Sequence, residues 1–249
     1  MGNRVLQRLL PRLSGDAAPG MPGYVLQADG GRTGIDVFSL GSAYLGPSTH
    51  PFTVGGDPSR PDFQVRNLEK RENNTLKLRE RLELLDSITA PTVALSKQNG
   101  PEAFRAKALD LVSNSTARVA FDLSNEPEKV RAAYGWHAYG QRALMARRLV
   151  EAGARFVTMV LESPNVLGKE WPTGVLYNWD SHAVNGHIFN DARWRFPLLD
   201  QAVSALIDDL YDRGLDKRVL LVVTGEFGRT PKVEQSVGTQ TKVTQPGRD

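Results

Sequence analysis

Two apolar runs on either side of one amphipathic helix constrain this chain more than any other feature. At 155–161, Phe156, Val157, Met159, Val160 and Leu161 follow one another almost without a polar break, and 219–224 is nearly all Val and Leu. Strands covered on both faces have this composition, whereas half-solvated strands alternate. Between them, 194–211 sets Leu199, Val203, Leu206, Ile207 and Leu210 on one face at helical spacing, and Gly214 supplies a stop. Strand, helix, strand in that order predicts a βαβ unit whose right-handed crossover makes the two strands parallel in one sheet. The expected fold class is α/β. A ligand would then sit beyond the carboxyl ends of the strands, in the loop after Leu161 and in the residues after Thr224.

The remainder divides by pattern into a loop-rich part, 1–65, a helical part, 66–152, and the βαβ part with its loops, 153–249. All three are expected within one domain, since 249 residues with 40% hydrophobic and 24% charged content suit a single α/β unit or most of one. Residues 17–61 are dense in Gly, Pro, Ser and Asp and lack periodicity, which predicts loops with short strands. Residues 1–13 carry Arg4, Arg8 and Arg12 among leucines and predict an amphipathic helix. Further helices are expected over 75–85, 101–112, 127–133 and 139–152, the last closed by Gly153.

Composition removes several classes of function. Cysteine is absent, so disulfides, a thiol nucleophile and Cys-based metal sites are excluded, and any metal must be held by His and carboxylates. The formal charge of +3 is dispersed, with no basic stripe interleaved with aromatics, so no nucleic-acid partner is expected. No apolar run is long enough for a membrane span.

Two loops carry the polar motifs. The first is Asn178-Trp179-Asp180-Ser181-His182. Asp180 and His182, one residue apart, point the same way in an extended segment, and a carboxylate beside an imidazole suits Zn²⁺, Mn²⁺ or Fe²⁺. His187 is a further candidate ligand or supporting contact. The structural alternative is that Asp180 caps a helix or turn and His182 is a surface histidine. The second motif is Thr224-Gly225-Glu226-Phe227-Gly228-Arg229-Thr230-Pro231. Glu226 could ligate a metal and Arg229 could hold an anionic oxyacid through its planar fork. Alternatively, the two pair with each other and fix the turn.

Taken together, these residues resemble the bacterial family known as domain of unknown function 1501. The resemblance runs through Ala43-Tyr44-Leu45-Gly46-Pro47, Val54-Gly55-Gly56-Asp57-Pro58, Tyr134-Gly135, Ala146-Arg147-Arg148-Leu149-Val150-Glu151-Ala152-Gly153, Trp179-Asp180-Ser181-His182 and Gly225-Glu226-Phe227-Gly228-Arg229-Thr230-Pro231. It implies a place in the alkaline-phosphatase and sulfatase-like superfamily, whose fold is a three-layer α/β/α sandwich and whose Asp and His metal ligands lie at strand carboxyl ends. By that resemblance Asp180, His182 and Glu226 form a metal set, with Arg229, His187 and Asp249 as oxyanion-binding or supporting residues. Phe227 stands where the superfamily has a histidine, which argues against a two-metal site. Gly247-Arg248-Asp249 resembles the start of a Gly-Arg-Asp-His-Trp motif, and the superfamily's nucleophile lies on an earlier strand, so the expectation is an α/β/α sandwich incomplete at both ends and inactive as a fragment. For the full-length protein the resemblance implies export and a metal-dependent hydrolase of small or polymeric phosphate or sulfate esters. The alternative is a non-catalytic exported binding or structural protein that keeps the fold.

Overall fold

The central strand lies within the stretch whose composition predicts loops with short strands. In the computed structural model, which describes residues 17–29, 49–66, 68, 80, 83–84, 108–225, 228, 230–239 and 241–248, Tyr24–Ala28 (β1) is flanked by Phe52–Gly55 (β2) and Phe156–Met159 (β3). Both pairings are parallel and the order is β2-β1-β3. All five residues of β1 are buried, as a middle strand with both faces covered requires. The chain is α/β: this sheet is accompanied by helices and by an antiparallel pair, Val233–Val237 (β4) with Thr244–Arg248 (β5).

The helices are Ser115–Phe121 (α1), Glu128–Tyr134 (α2), Ala138–Glu151 (α3) and Ile188–Asp212 (α4). Asn114 caps α1 by accepting from the Thr116 N–H, and His137 caps α3 through Nδ1, which accepts from Gly140 N–H at 3.1 Å. Helix α3 ends as the sequence predicts: Gly153 takes φ 104°, a left-handed conformation that costs glycine little. Of the other expected helices, 108–113 and residues 80, 83 and 84 are helical where described, while the 1–13 helix lies outside the described residues. Among the described residues no helix is long and apolar enough to cross a membrane.

The structure corrects the βαβ expectation. Residues 219–224 belong to neither sheet; Val219 and Leu221 pack against the core, but Leu220 is 87% exposed and Val222 and Val223 are exposed too. A strand needs a neighbour for its N–H and C=O groups, and apolar composition alone does not supply one. β3 is half-buried throughout, so its apolar run overstated its burial. The helical face is rotated as well: α4 buries Ala202, Leu206 and Leu210 but exposes Ile207. It begins six residues ahead of Trp194 because Asp191 and Arg195 form an i,i+4 pair that holds the turns before Pro197.

Helix α3 is buried along nearly its whole length, yet it carries four charged or amide side chains inside the protein: Gln141, Arg142, Arg147 and Arg148. Each guanidinium has carboxylate or carbonyl partners, although Arg142 Nε is buried without one. Arg147 donates to Glu126, Glu151 and Asp209, each at 2.8 Å, and Tyr134 donates to Asp209 at 2.9 Å. Burial acts to raise the Glu126 pKa, but hydrogen bonds and charge from Arg147 and Arg148 outweigh it and hold the carboxyl below its ordinary value. Asp209 is likewise lowered, with Arg213, Tyr134 and Arg147 outweighing burial. The network ties α2, α3 and α4 together around an apolar core that includes Val25, Leu144, Leu149 and Leu206.

Candidate metal-binding loop

The carboxyl ends of the three parallel strands converge on one side chain. Arg142 of α3 donates to Gly56 C=O after β2 at 2.8 Å and to Val160 C=O after β3 at 3.0 Å, and it forms an ion pair with Asp29, the residue after β1. Asp29 also accepts from the Ser163 N–H at 2.8 Å. A buried guanidinium is tolerable only when paired in this way, so Arg142 is committed to holding the strand ends together. From this pinned point the chain leaves β3 into the long loop that carries the Trp-Asp-Ser-His motif.

A second buried pair fixes that loop. Arg195 is 0% and Asp191 3% exposed, and Arg195 Nε lies 2.9 Å from both carboxylate oxygens. The remaining nitrogens of Arg195 reach Glu162 C=O, Leu176 C=O and the Tyr139 hydroxyl. Asp191 in turn accepts from Ser181 Oγ at 2.7 Å and from Leu176 N–H at 3.1 Å. Trp179 stacks on Tyr139 with an interplanar angle of 11° and lies under the Arg195 guanidinium, 5.2 Å from centroid to Cζ. Trp179 and Ser181 are thus the loop's anchors, one packed and one hydrogen-bonded.

Asp180 and His182 project together. Asp180 Oδ2 lies 3.2 Å from His182 Nε2, with side chains 48% and 39% exposed. The juxtaposition does not come from an extended strand, as spacing alone suggests. Asn178 Oδ1 accepts from Asp180 N–H at 3.0 Å, and His182 N–H donates to Asp180 C=O at 2.8 Å, which closes a three-residue γ-turn over Ser181. The turn sends Ser181 inward and its neighbours outward. Behind it lies the β4–β5 hairpin: Gln245 Nε2 donates to Ala183 C=O, Thr239 donates to Val184 C=O through both N–H and Oγ1, and Gly247 approaches so closely that a Cβ would stand 1.9 Å from Ala183 N.

The other expected site residues are distributed differently. His187 occupies the N-cap position of α4 without capping it; its ring lies edge-on to Phe189 and its buried Nδ1 has no hydrogen-bond partner. Among the described residues no three ligand-type side chains gather into a group that could hold a metal. Glu226, Arg229 and Asp249 lie outside the described residues. Sequence reasoning missed Asp191 and Arg195, although a signal was present. They stand four residues apart on the side of α4 that continues through Ala202, Leu206 and Leu210, where a charge must be buried and paired.

The loop, its clamp and the strands behind it all fall within residues 11–248, which match the family model described as a protein of unknown function, DUF1501. The chain belongs to the DUF1501 family. No curated protein and no solved structure matches it. In this DUF1501 chain, then, the Trp-Asp-Ser-His segment is a clamped turn that presents one carboxylate and one imidazole side by side.

Proposed function

We propose that this DUF1501 chain carries part of a divalent-metal site of a phosphate or sulfate ester hydrolase on an alkaline-phosphatase-like α/β/α sandwich, and that the whole protein is exported. The supporting observation is the Asp180–His182 pair. Two donors each about 2.1 Å from a tetrahedral ion stand about 3.4 Å apart, and these two lie 3.2 Å apart on a turn in which Ser181 and Ala183 are buried. The donor set, one carboxylate oxygen and one imidazole nitrogen, fits Zn²⁺, Mn²⁺ or Fe²⁺, with Glu226 as the proposed third ligand and Arg229 as the residue that holds the anionic oxyacid. Bound there, a divalent ion would polarise an ester oxygen. The part played by this chain's own residues is positional: Asp191 and Arg195 hold Ser181 and Trp179, and so fix the direction of Asp180 and His182.

The clamp also favours a second reading, a non-catalytic exported protein that keeps the turn as structure, because Ser181 and Trp179 are already engaged within the fold. Calorimetric titration with Zn²⁺ and with Mn²⁺ separates the two. The metal proposal expects stoichiometric uptake that is lost in His182→Ala with the circular dichroism unchanged, and weakened in Glu226→Gln. Equal uptake by wild type and His182→Ala would refute it.

A further inference from the structure

The β4–β5 hairpin has one blocked edge and one open edge. Gly238 N–H donates to Val243 C=O at 2.9 Å, which sets the phase of the ladder. Along an antiparallel pair, residues alternate between exchanging both backbone bonds with the facing residue and turning both groups away. Glu234 and Ser236, opposite Gly247 and Gln245, therefore bond within the hairpin, whereas Val233, Gln235 and Val237 turn their N–H and C=O groups outward. Those outward groups meet no backbone partner among the described residues. The same phase turns Pro246 toward the far edge of β5, where proline has no N–H to offer a further strand. Gln245 and Gly247 also hold β5 against Ala183. The edge of β4 thus remains a template for pairing.

We propose that β4 pairs antiparallel with β4 of a second copy of this chain, about a two-fold axis at Gln235, to give one continuous sheet in the order β5-β4-β4-β5. This association is separate from the metal reading of the Asp180–His182 turn. The strand is self-complementary in that register. Its outward residues are centred on Gln235, so Val233 of one copy faces Val237 of the other, Gln235 faces its own counterpart, and each outward donor meets an outward acceptor. Both valines are exposed, and facing β-branched side chains stabilise a strand pair. On the opposite face Glu234 meets Ser236 of the copy, so no like charges lie directly across. Residues 228 and 230–232, which run beside the turn of the copy, are exposed and leave the approach open. The proline on β5 ends the sheet at two chains, because the contact uses the same strand of each copy and closes on itself. With 5 residues in the strand, the contact is far smaller than the roughly 20–30 residues a side of a stable interface, so the dimer is weak and reversible.

Sedimentation of the whole chain at about 10 µM to about 1 mM should show a monomer–dimer equilibrium. Chelator is present throughout, so that a metal held by Asp180 and His182 cannot bridge two copies. Amide exchange should slow with rising concentration at Val233, Gln235 and Val237, and stay constant at Glu234 and Ser236, which already bond within the hairpin. Gln235→Pro removes an outward N–H while leaving the hairpin's own ladder in place, and should weaken association about tenfold or more. Unchanged protection at Thr239, which donates to Val184 C=O, verifies that the hairpin is intact in that variant. Charge tests the register without proline. Val233→Lys/Val237→Lys sets lysine against lysine and should weaken the dimer about tenfold or more, whereas Val233→Lys/Val237→Glu sets lysine against glutamate and should stay within about threefold of wild type. The proposal is overturned if the chain stays monomeric to about 1 mM, if it assembles beyond a dimer, or if the protection gained with concentration falls on Glu234 and Ser236. It is equally overturned if Gln235→Pro with an intact hairpin associates as wild type does, or if the two charged double variants weaken alike.

Discussion

Removing the carboxylate of Asp191 tests whether the motif loop is held by its buried ion pair. Asp191→Ala takes away the acceptor for Ser181 Oγ, for Leu176 N–H and for Arg195 Nε at once, and leaves the Arg195 charge fully buried beside two backbone carbonyls. Breaking one side of a buried pair typically destabilises by about 3–5 kcal/mol, because the surviving charge keeps its desolvation penalty without its counter-charge. For a urea slope of about 2–3 kcal/mol/M, expected for a chain of this size, the unfolding midpoint should fall by about 1–2.5 M. Trp179 packs under the same guanidinium, so its fluorescence should change before the global transition. The double variant Asp191→Leu/Arg195→Met removes both charges and should lie closer to wild type than Asp191→Ala does, since a matched apolar pair leaves no orphan charge. A loss below about 1 kcal/mol in Asp191→Ala, or a double variant as unstable as the sum of the singles, would show that the pair does not hold the loop.

Other consequences follow from the core and the hairpin. Leu206→Ala should destabilise by about 2–5 kcal/mol and Ile207→Ala by less than about 1, measured by urea unfolding; equal losses would contradict the rotated face of α4. Stability should fall on acidification in two windows. His137 is buried and its pKa lowered, so the unfolded chain takes up its proton first and stability declines below about pH 6.5. Glu126 and Asp209 are also lowered, so their contribution is complete above about pH 4.5 and is lost as pH falls through their folded values, and Glu126→Gln should flatten that lower limb of a Tm-against-pH curve. Gly247→Ala would drive a Cβ into Ala183 N, and should lower amide exchange protection at Thr239 as the hairpin lifts from the loop; unchanged protection would contradict that contact.

Local signals in the sequence revealed α2 and α3 well, misplaced the start and face of α4, missed α1, and revealed the sheet poorly. The closing glycine of α3 and the extent of α2 and α3 follow from local signals that local backbone chemistry enforces. β1 was obscured because Tyr24-Val25-Leu26-Gln27-Ala28 is short, carries a buried glutamine and lies among glycines and prolines, so nothing in its own sequence marks it as the centre of a sheet. Residues 219–224 are the reverse case, strongly apolar yet without a partner strand among the described residues, since pairing depends on what lies alongside. In the motif loop, spacing pointed to Asp180 and His182 as a pair but for the wrong geometry: the γ-turn that brings them together accompanies the contact of Ser181 with Asp191, which no local pattern encodes.

The placement of β1 also bears on the order in which the chain can assemble. Tyr24 pairs with Phe156, and Asp29 meets the Ser163 N–H across 134 residues of sequence. Closing so long a loop carries an entropic cost that is recovered only when both ends are in place, and chains dominated by distant pairings fold slowly. During synthesis at about 5–20 residues per second, β1 would wait several seconds or more for β3 to emerge. Throughout that interval Tyr24, Val25, Leu26 and Ala28 lack the neighbouring strand β3, so this segment stays open to a holdase.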